Sequence, residues 1–278
     1  MSPPTRGTRA LRLRHGVPGW GSDRLAVEEP LELRLLGETL ALTMRTPGED
    51  FDLVVGFLLS EGVIAGAADI RALRVCRTAA DGSRNVVEVE LGPAATPPAP
   101  QDRRRFAVTS ACGVCGSATV EQVRRRSRWA VDADPLRLSS ALLGGLPDAL
   151  RLRQAAFERT GGLHAAALVD PAGDLLCVRE DVGRHNAVDK VIGWAARHDR
   201  LPLRSHLLLV SGRASFELVQ KALLAGIPAL AAVSAPSSLA VELARSAGMT
   251  LVGFLRGATM NVYCGEERVV AEPALPAG

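Results

Sequence analysis

The chain has 278 residues, of which 47% are hydrophobic and 23% charged. That is enough apolar material for a sizeable core, and the length favours two domains. The net charge of +3 is far below the basic excess of a general nucleic-acid binder. Neither a signal-peptide pattern nor a run of roughly 20 apolar residues for a membrane span is found, which points to a cytoplasmic protein with no membrane partner.

The first 24 residues, rich in Pro, Gly and Arg, are expected to form a flexible arm. Residues 25–108 read as a small α+β domain. PLELRLLGETLALTMRT alternates apolar and polar positions on either side of Gly37-Glu38, the pattern of a β-hairpin. Thr46-Pro47-Gly48-Glu49 has the spacing of a capping box with Pro in the first turn. The helix it opens places Phe51, Val54, Val55, Leu58 and Leu59 on one face and ends near Gly62. Strands at about 70–77 and 85–91 form a second hairpin across DGSR. Two hairpins around one helix suggest a β-grasp-like arrangement.

GPAATPPAPQD, residues 92–102, reads as a linker or long loop. Residues 109–134 carry ACGVCGSATVE and a helix over about 118–128. Helical segments are predicted at 140–143 and 147–159. From residue 163 the pattern changes. LHAAALVD and DLLCVRE form a hairpin around Pro171-Ala172-Gly173. Then come helix 184–198, strand SHLLLV, helix 214–225, strand 228–233, helix 237–247 and strand 250–255. Apolar strands separated by helices of this length pair in parallel through right-handed crossovers. Residues 135–278 are therefore predicted to be a three-layer αβα domain with a mixed sheet.

Ligands of such sheets bind outside the C-terminal strand ends. Three loops qualify: Ser211-Gly212-Arg213-Ala214-Ser215, Ser234-Ala235-Pro236-Ser237-Ser238 and Arg256-Gly257-Ala258-Thr259. Glycine allows close backbone approach, helix starts offer free N–H groups, and hydroxyls and Arg add donors. Together they describe an anion cradle, best suited to phosphate, although Ser at a helix start is more often only a cap. A Walker lysine motif is absent. In RxDVGRHNAVDKVIG, residues 179–193, Asn186 or Asp181 can cap a helix. Arg179, Arg184 and His185 at that helix start would either be solvated or supply further donors to the same anion.

Five cysteines, Cys76, Cys112, Cys115, Cys177 and Cys264, make a disulfide framework unexpected in a chain this long. Cys76, Cys177 and Cys264 read as small core residues. Cys112 and Cys115 form a Cys-x-x-Cys pair. A structural zinc site needs four ligands, and no second pair or suitably spaced His is present. A thioredoxin-like exchanger would place the pair between a strand and a helix, not after a proline-rich stretch. Zinc deaminases carry H-x-E and P-C-x-x-C, but His164-Ala165-Ala166 has no Glu and no Pro precedes Cys112. What fits is a nucleophile on a mobile loop. Arg103, Arg104 and Arg105 upstream, and Arg124, Arg125, Arg126 and Arg128 downstream, favour the thiolate.

TSACGVCG, TGGLHAAAL, REDVGRHNAVDKVIG, SGRASFELVQKALLAGIPALAAVSAPSSLAVELA and GMTLVGFLRGATMNVY occur in that order. Together they resemble the formate dehydrogenase accessory sulfurtransferases, the FdhD type. The resemblance implies a C-terminal domain with a cytidine deaminase-like fold and a role in sulfur delivery. Persulfide sulfur from a cysteine desulfurase would pass to bis-molybdopterin guanine dinucleotide bound to molybdenum, a step needed for formate dehydrogenase activity. A nucleotide such as GDP or GMP would mimic the cofactor's ends. The alternative is a non-covalent cofactor chaperone. Carried over, Cys112 is the persulfide carrier and Cys115 its partner. The cofactor-binding segment is Phe254, Leu255, Arg256, Gly257, Ala258 and Thr259, joined by Ser211, Arg213, Ser234 and His185 from the strand-end loops. The family pattern has a basic residue where this chain has Thr259, so Arg256 or Arg213 would supply that charge. A homodimer is also implied.

Overall fold

The computed structural model describes residues 2–77, 84–93, 95, 120, 121, 123 and 127–271. Cys112, Cys115, most of the 92–102 stretch and most of the 118–128 helix lie outside them. The N-terminal residues differ from the expected arm. Strands β1 (Thr5–Arg14) and β2 (Val17–Ala26) form a ten-residue antiparallel ladder. Its two-residue turn, His15-Gly16, has positive φ at both positions, 51° and 82°. That is the turn type whose twist matches a tight hairpin.

Strands β3 (Glu29–Leu35) and β4 (Glu38–Arg45) make the hairpin expected around Gly37-Glu38. Helix α1 (Asp50–Ser60) follows, and then β5 (Ile70–Cys76) and β6 (Val86–Leu91). The sheet order is β4-β3-β6-β5, with β3 and β6 parallel at its centre. The apolar residues of α1 split between two partners. Leu53, Val54, Val55 and Leu58 pack with Leu31, Leu33, Val87 and Val89 of the sheet. The opposite side of α1, with buried Asp52, Gly56 and Ser60, faces α4. The predicted capping box does not form. Glu49 precedes the helix at φ 51° without a side-chain cap bond. Thr46 is instead used against the 181–182 turn: its hydroxyl accepts from Val182 N at 3.1 Å and its N–H donates to Asp181 at 3.2 Å.

A short strand β7 (Leu138–Ser139) leads into α2 (Ser140–Leu152). The sequence predicts two segments broken at Pro147, but Pro147 sits inside this one helix. Ser139 caps it, accepting from Leu142 N at 3.1 Å. The separate α3 (Ala155–Thr160) ends at Gly161, φ 66°. Next come β8 (His164–Val169), β9 (Leu175–Asp181), α4 (Arg184–Arg197), β10 (Leu207–Val210), α5 (Phe216–Leu224), β11 (Ala229–Ala232), α6 (Ser238–Ser246), β12 (Thr250–Arg256), β13 (Thr259–Cys264) and β14 (Val269–Val270). The large sheet has the order β13-β12-β11-β10-β8-β9. Strands β10, β11 and β12 are parallel, and the others antiparallel. The mixed sheet matches expectation, whereas β13 is an edge strand the sequence reading lacks.

Period-two alternation loads both faces of this sheet. Ala166, Leu168, Leu208, Val210, Leu230 and Leu251 pack against α4, α5 and α6. Ala165, Ala167, Val169, Leu207, Leu209 and Val252 pack against Leu143, Leu146 and Leu150 of α2. Arg268 closes the bottom of the domain. It is fully buried and donates to the carbonyls of Val131, Asp132, Asp134 and Gly248. No helix among the described residues is long and apolar enough to cross a membrane.

Candidate functional site

Strands β10, β11 and β12 deliver the three predicted loops to one rim of the sheet, where backbone bonds stitch them together. Ser234 N donates to Gly212 O at 3.3 Å, and Phe254 N to Ser234 O at 3.1 Å. Ala214 N donates to Ala235 O, and Ser237 N to Ala214 O. Because β8 runs antiparallel to β10, and β9 antiparallel to β8, His164 at the start of β8 and Asp181 at the end of β9 reach the same rim as paired residues. The 182–185 turn into α4 follows directly.

The rim gathers two arginines and two histidines. His164 lies close to Gly212, whose added Cβ would stand 3.3 Å from its Nδ1. Burial holds the His164 pKa below the usual histidine range, reinforced by positive charge on Arg184, His185 and Arg213. The Nε of Arg184 is buried without a hydrogen-bond partner among the described residues. Helices α4 and α5 both begin here, at Gly183 and Ser215, without a bond from the cap side chain; helix starts of this kind offer N–H groups to a ligand, although in α5 the Glu217 carboxylate takes its own backbone N–H. Cations around open helix starts can hold an anion of phosphate type.

Glu217, like Asp181, is an acidic residue of the group. Its Oε2 lies 3.8 Å from His185 Nε2, and Ser215 Oγ lies 3.5 Å from the same nitrogen. The His185 ring beside it lowers the Glu217 pKa from 4.5 to about 2, against an opposing effect of burial. A carboxylate with a lowered folded-state value contributes stability that is complete above the unfolded value and lost as pH falls. Acid denaturation between pH 4.5 and about 2 should therefore flatten in Glu217→Gln, read as unfolding free energy against pH. An unchanged slope would show that Glu217 is not held by His185.

Buried polar contacts the sequence does not reveal support the rim from below. Lys190, wholly buried, pairs with Asp181 Oδ2 at 2.8 Å and donates to Thr46 O at 2.9 Å. Asp181 Oδ1 accepts from Gly183 N at 2.8 Å and from Asn186 Nδ2 at 3.1 Å. Asn186 is thus not a cap but a tether, which also donates to Met44 O. Arg179 corrects another expectation: it points away from the helix start and pairs with Asp52 of α1 at 2.9 Å. The available signal for Lys190 is a charge pair, Asp189-Lys190, inside an otherwise apolar helical run.

The Phe254–Thr259 segment divides. Phe254 is exposed at φ 51°, with the Arg256 guanidinium 6.0 Å from its ring centroid. Arg256, Ala258 and Thr259 line a groove of about 460 Å³ with Ser140, Met260 and Asn261. Leu255 is fully buried in the α2-side core, so its side chain cannot touch a ligand. Gly257 packs against α2, where an added Cβ on Gly144 would meet Gly257 O at 2.8 Å. β12 is two strands from β10, about 10 Å at ordinary strand spacing, so this groove neighbours the His185 cluster rather than joining it. Ser211 Oγ already accepts from Ala165 N at 2.8 Å. Ser234 lies between the two groups, bonded by its backbone to both neighbouring loops.

Of the remaining cysteines, Cys177 and Cys264 are buried, as expected, and Cys76 is half-buried on β5. Burial pushes Cys177 up to about 12 and raises Cys264.

The sequence profile of the FdhD/NarQ family matches residues 26–270. A protein named Sulfur carrier protein FdhD from Streptomyces avermitilis is 53% identical over 282 aligned positions, covering 100% of both chains. One of the same name from Mycobacterium tuberculosis is 55% identical, covering 89% of this chain and 92% of its own. Among solved structures, a protein from Desulfotalea psychrophila assigned as a formate dehydrogenase accessory protein superposes with a TM-score of 0.75 at 25% identity, covering 96% of this chain and all of that one. The chain belongs to the FdhD/NarQ family.

Proposed function

We propose that the chain is a sulfur carrier for formate dehydrogenase maturation, acting in the cytoplasm between a cysteine desulfurase and the molybdenum cofactor. The name shared by its relatives supports the sulfur role. The observation that carries the cofactor half is the rim. His164, Arg184, His185 and Arg213 gather beside two helix starts without a side-chain cap bond, and the side-chain Nε of Arg184 is buried without a partner among the described residues. Such a group favours a phosphate-rich ligand, and the guanine dinucleotide ends of bis-molybdopterin guanine dinucleotide carry pyrophosphates. The Arg256–Thr259 groove would take a neighbouring part of the same ligand.

In this reading the Cys112 thiolate attacks the outer sulfur of the desulfurase persulfide. An S–S bond forms on Cys112 while the one in the donor breaks, and the desulfurase leaves as its thiolate. The Cys115 thiolate can then attack Cys112 Sγ. The outer sulfur departs toward the cofactor as sulfide, and a Cys112–Cys115 disulfide remains for a cellular dithiol to reduce. GDP serves as the probe of the rim. Arg184→Ala and Arg213→Ala should each weaken GDP binding about tenfold or more, the usual scale for a charge-assisted hydrogen bond, measured by calorimetry. Full GDP affinity in both variants would remove the rim from the proposal. Anaerobic incubation with desulfurase and cysteine should add one sulfur atom to the Cys112 peptide. GDP binding without that mass gain would leave the non-covalent chaperone reading.

A further inference from the structure

The β1–β2 hairpin lies before the family match except for its last residue, Ala26, and pairs with no other strand among the described residues. Its base is fastened. Thr5 is buried, Val27 N donates to Pro4 O at 2.9 Å, and Ala26 packs beside Gly162 next to α3. Beyond that base it stands free. A two-stranded ribbon of this kind is marginal in water without a covered face.

Antiparallel partners share a face, so the register sorts the side chains. One face carries Leu11 opposite Trp20 and Leu13 opposite Pro18, with Arg9 over the Trp20 ring at 5.7 Å. Leu11, Leu13 and Trp20 are 49%, 69% and 66% exposed. The other face carries Arg6, Arg12 and Arg14, with Leu25 and Val17 opposite Arg6 and Arg14, and Arg12 lies 3.6 Å from Asp23. Glycines flatten it: an added Cβ on Gly21 would already touch Arg12 Cδ at 3.4 Å. Residues 1–26 hold five arginines and one aspartate, a net +4, whereas the whole chain is +3, so the remainder is −1.

We propose that this hairpin inserts into an acidic cleft with one apolar wall on a partner protein, with Trp20 and Leu11 against the apolar wall and Arg12 and Arg14 against the acidic one. Trp and Arg are the side chains that most often dominate binding energy. Over the outer half of the ribbon, Leu11, Leu13 and Trp20 lie on one face and Arg12 and Arg14 on the other. A flat lipid surface or a nucleic-acid duplex could cover one face only, and a two-walled protein cleft covers both. A second copy of this chain offers little acidic excess to the hairpin, because residues 27–278 sum to only −1.

The hairpin base adjoins Gly162, two residues before His164, so the hairpin is rooted beside the rim. On the functional reading above, which this inference rests on, the protein that must meet the rim is the acceptor of the finished cofactor, the apo-form of the dehydrogenase. The sulfur donor need only reach Cys112.

The test uses the full chain and purified apo-formate dehydrogenase in a surface-binding assay, with Leu11→Ser/Trp20→Ser and Arg12→Glu/Arg14→Glu as variants. Each should lose about tenfold or more in affinity, and wild-type binding should weaken with added salt. Thermal unfolding, GDP binding and sulfur loading at Cys112 should stay at wild-type values, because neither the hairpin base nor the rim is altered. Wild-type affinity in both variants overturns the proposal. So does an effect confined to self-association, or binding of the wild type, lost in the variants, to vesicles with an anionic lipid. Normal sulfur loading without dehydrogenase binding defeats the docking alone. Hairpin-dependent binding without sulfur loading defeats the carrier reading and leaves the docking intact.

Discussion

Cys112→Ala is expected to abolish sulfur loading altogether, while Cys76→Ser, Cys177→Ser and Cys264→Ser load as well as the wild type. Only a thiolate attacks a persulfide at a useful rate. Cys177 is pushed up to about 12 by its apolar surroundings, leaving about one thiolate in 10⁵ at neutral pH. Cys264 is shifted in the same direction, against the influence of Arg245. Both are beneath the surface, where no donor protein can reach. Cys112 and Cys115 are flanked in sequence by seven arginines at 103–105, 124–126 and 128, and that surrounding charge favours the anion. Cys115→Ala separates the two steps: it should still take up sulfur on Cys112 but release it slowly. The measurement is intact-mass and peptide mass spectrometry after desulfurase treatment, with thiol alkylation as control. Undiminished loading of Cys112→Ala would move the reactive sulfur elsewhere and remove the foundation of the carrier proposal.

Much of the scaffold was legible because it is written locally. The strands of the large sheet announce themselves as apolar runs such as LLLV and ALAA, and the loops after them as Ser, Gly and Pro. The three strand-end loops do share a rim, since parallel pairing of β10, β11 and β12 leaves no other place for them. What stayed hidden depends on long-range contact. Thr46 has the spacing of a helix cap, yet tertiary demand takes both its hydroxyl and its N–H for the 181–182 turn. Arg179 sits three residues before Val182 in a basic motif, but strand alternation turns it to Asp52. His164 joins the rim only because β8 is antiparallel to β10, which no local pattern states. The N-terminal strands were obscured by composition: Arg, Gly and Pro at alternate positions read as an arm, although Leu11 and Leu13 keep the strand period. Leu255 lies inside the segment carried over from the family, and it was miscast because a motif does not say which of its residues face inward.

Gly193→Ala should be the most damaging single-methyl change in the described chain, with Gly56→Ala close behind. Helices α1 and α4 cross at these two glycines. A Cβ on Gly56 would fall within the carbonyl group of Asp189, and one on Gly193 within that of Asp52 and against Gly56 N. Overpacking costs about 1–3 kcal/mol where side chains can give way. Here the obstacle is the opposite backbone, so the helices must separate. Separation also strains the polar links across the crossing: Asp52 to Arg179 at 2.9 Å and to Arg197 at 2.5 Å, Ser60 to Asp189 at 2.9 Å, and Asp189 onward to Lys221 at 2.7 Å. Buried charges left without partners are costly. A loss of about 3 kcal/mol or more is expected, lowering Tm by about 10 °C in a chain of this size. Function falls with it, because α4 begins with Arg184 and His185 and holds Lys190 beneath Asp181. Shifting α4 therefore loosens the rim, and GDP affinity should drop even at temperatures where the variant is folded. Gly145→Ala is the control: it lies in α2, where an added Cβ meets nothing within 4 Å, and alanine favours a helix by about 1 kcal/mol over glycine. If Gly193→Ala melts within a few degrees of Gly145→Ala and binds GDP normally, the two helices do not act as one rigid support for the site.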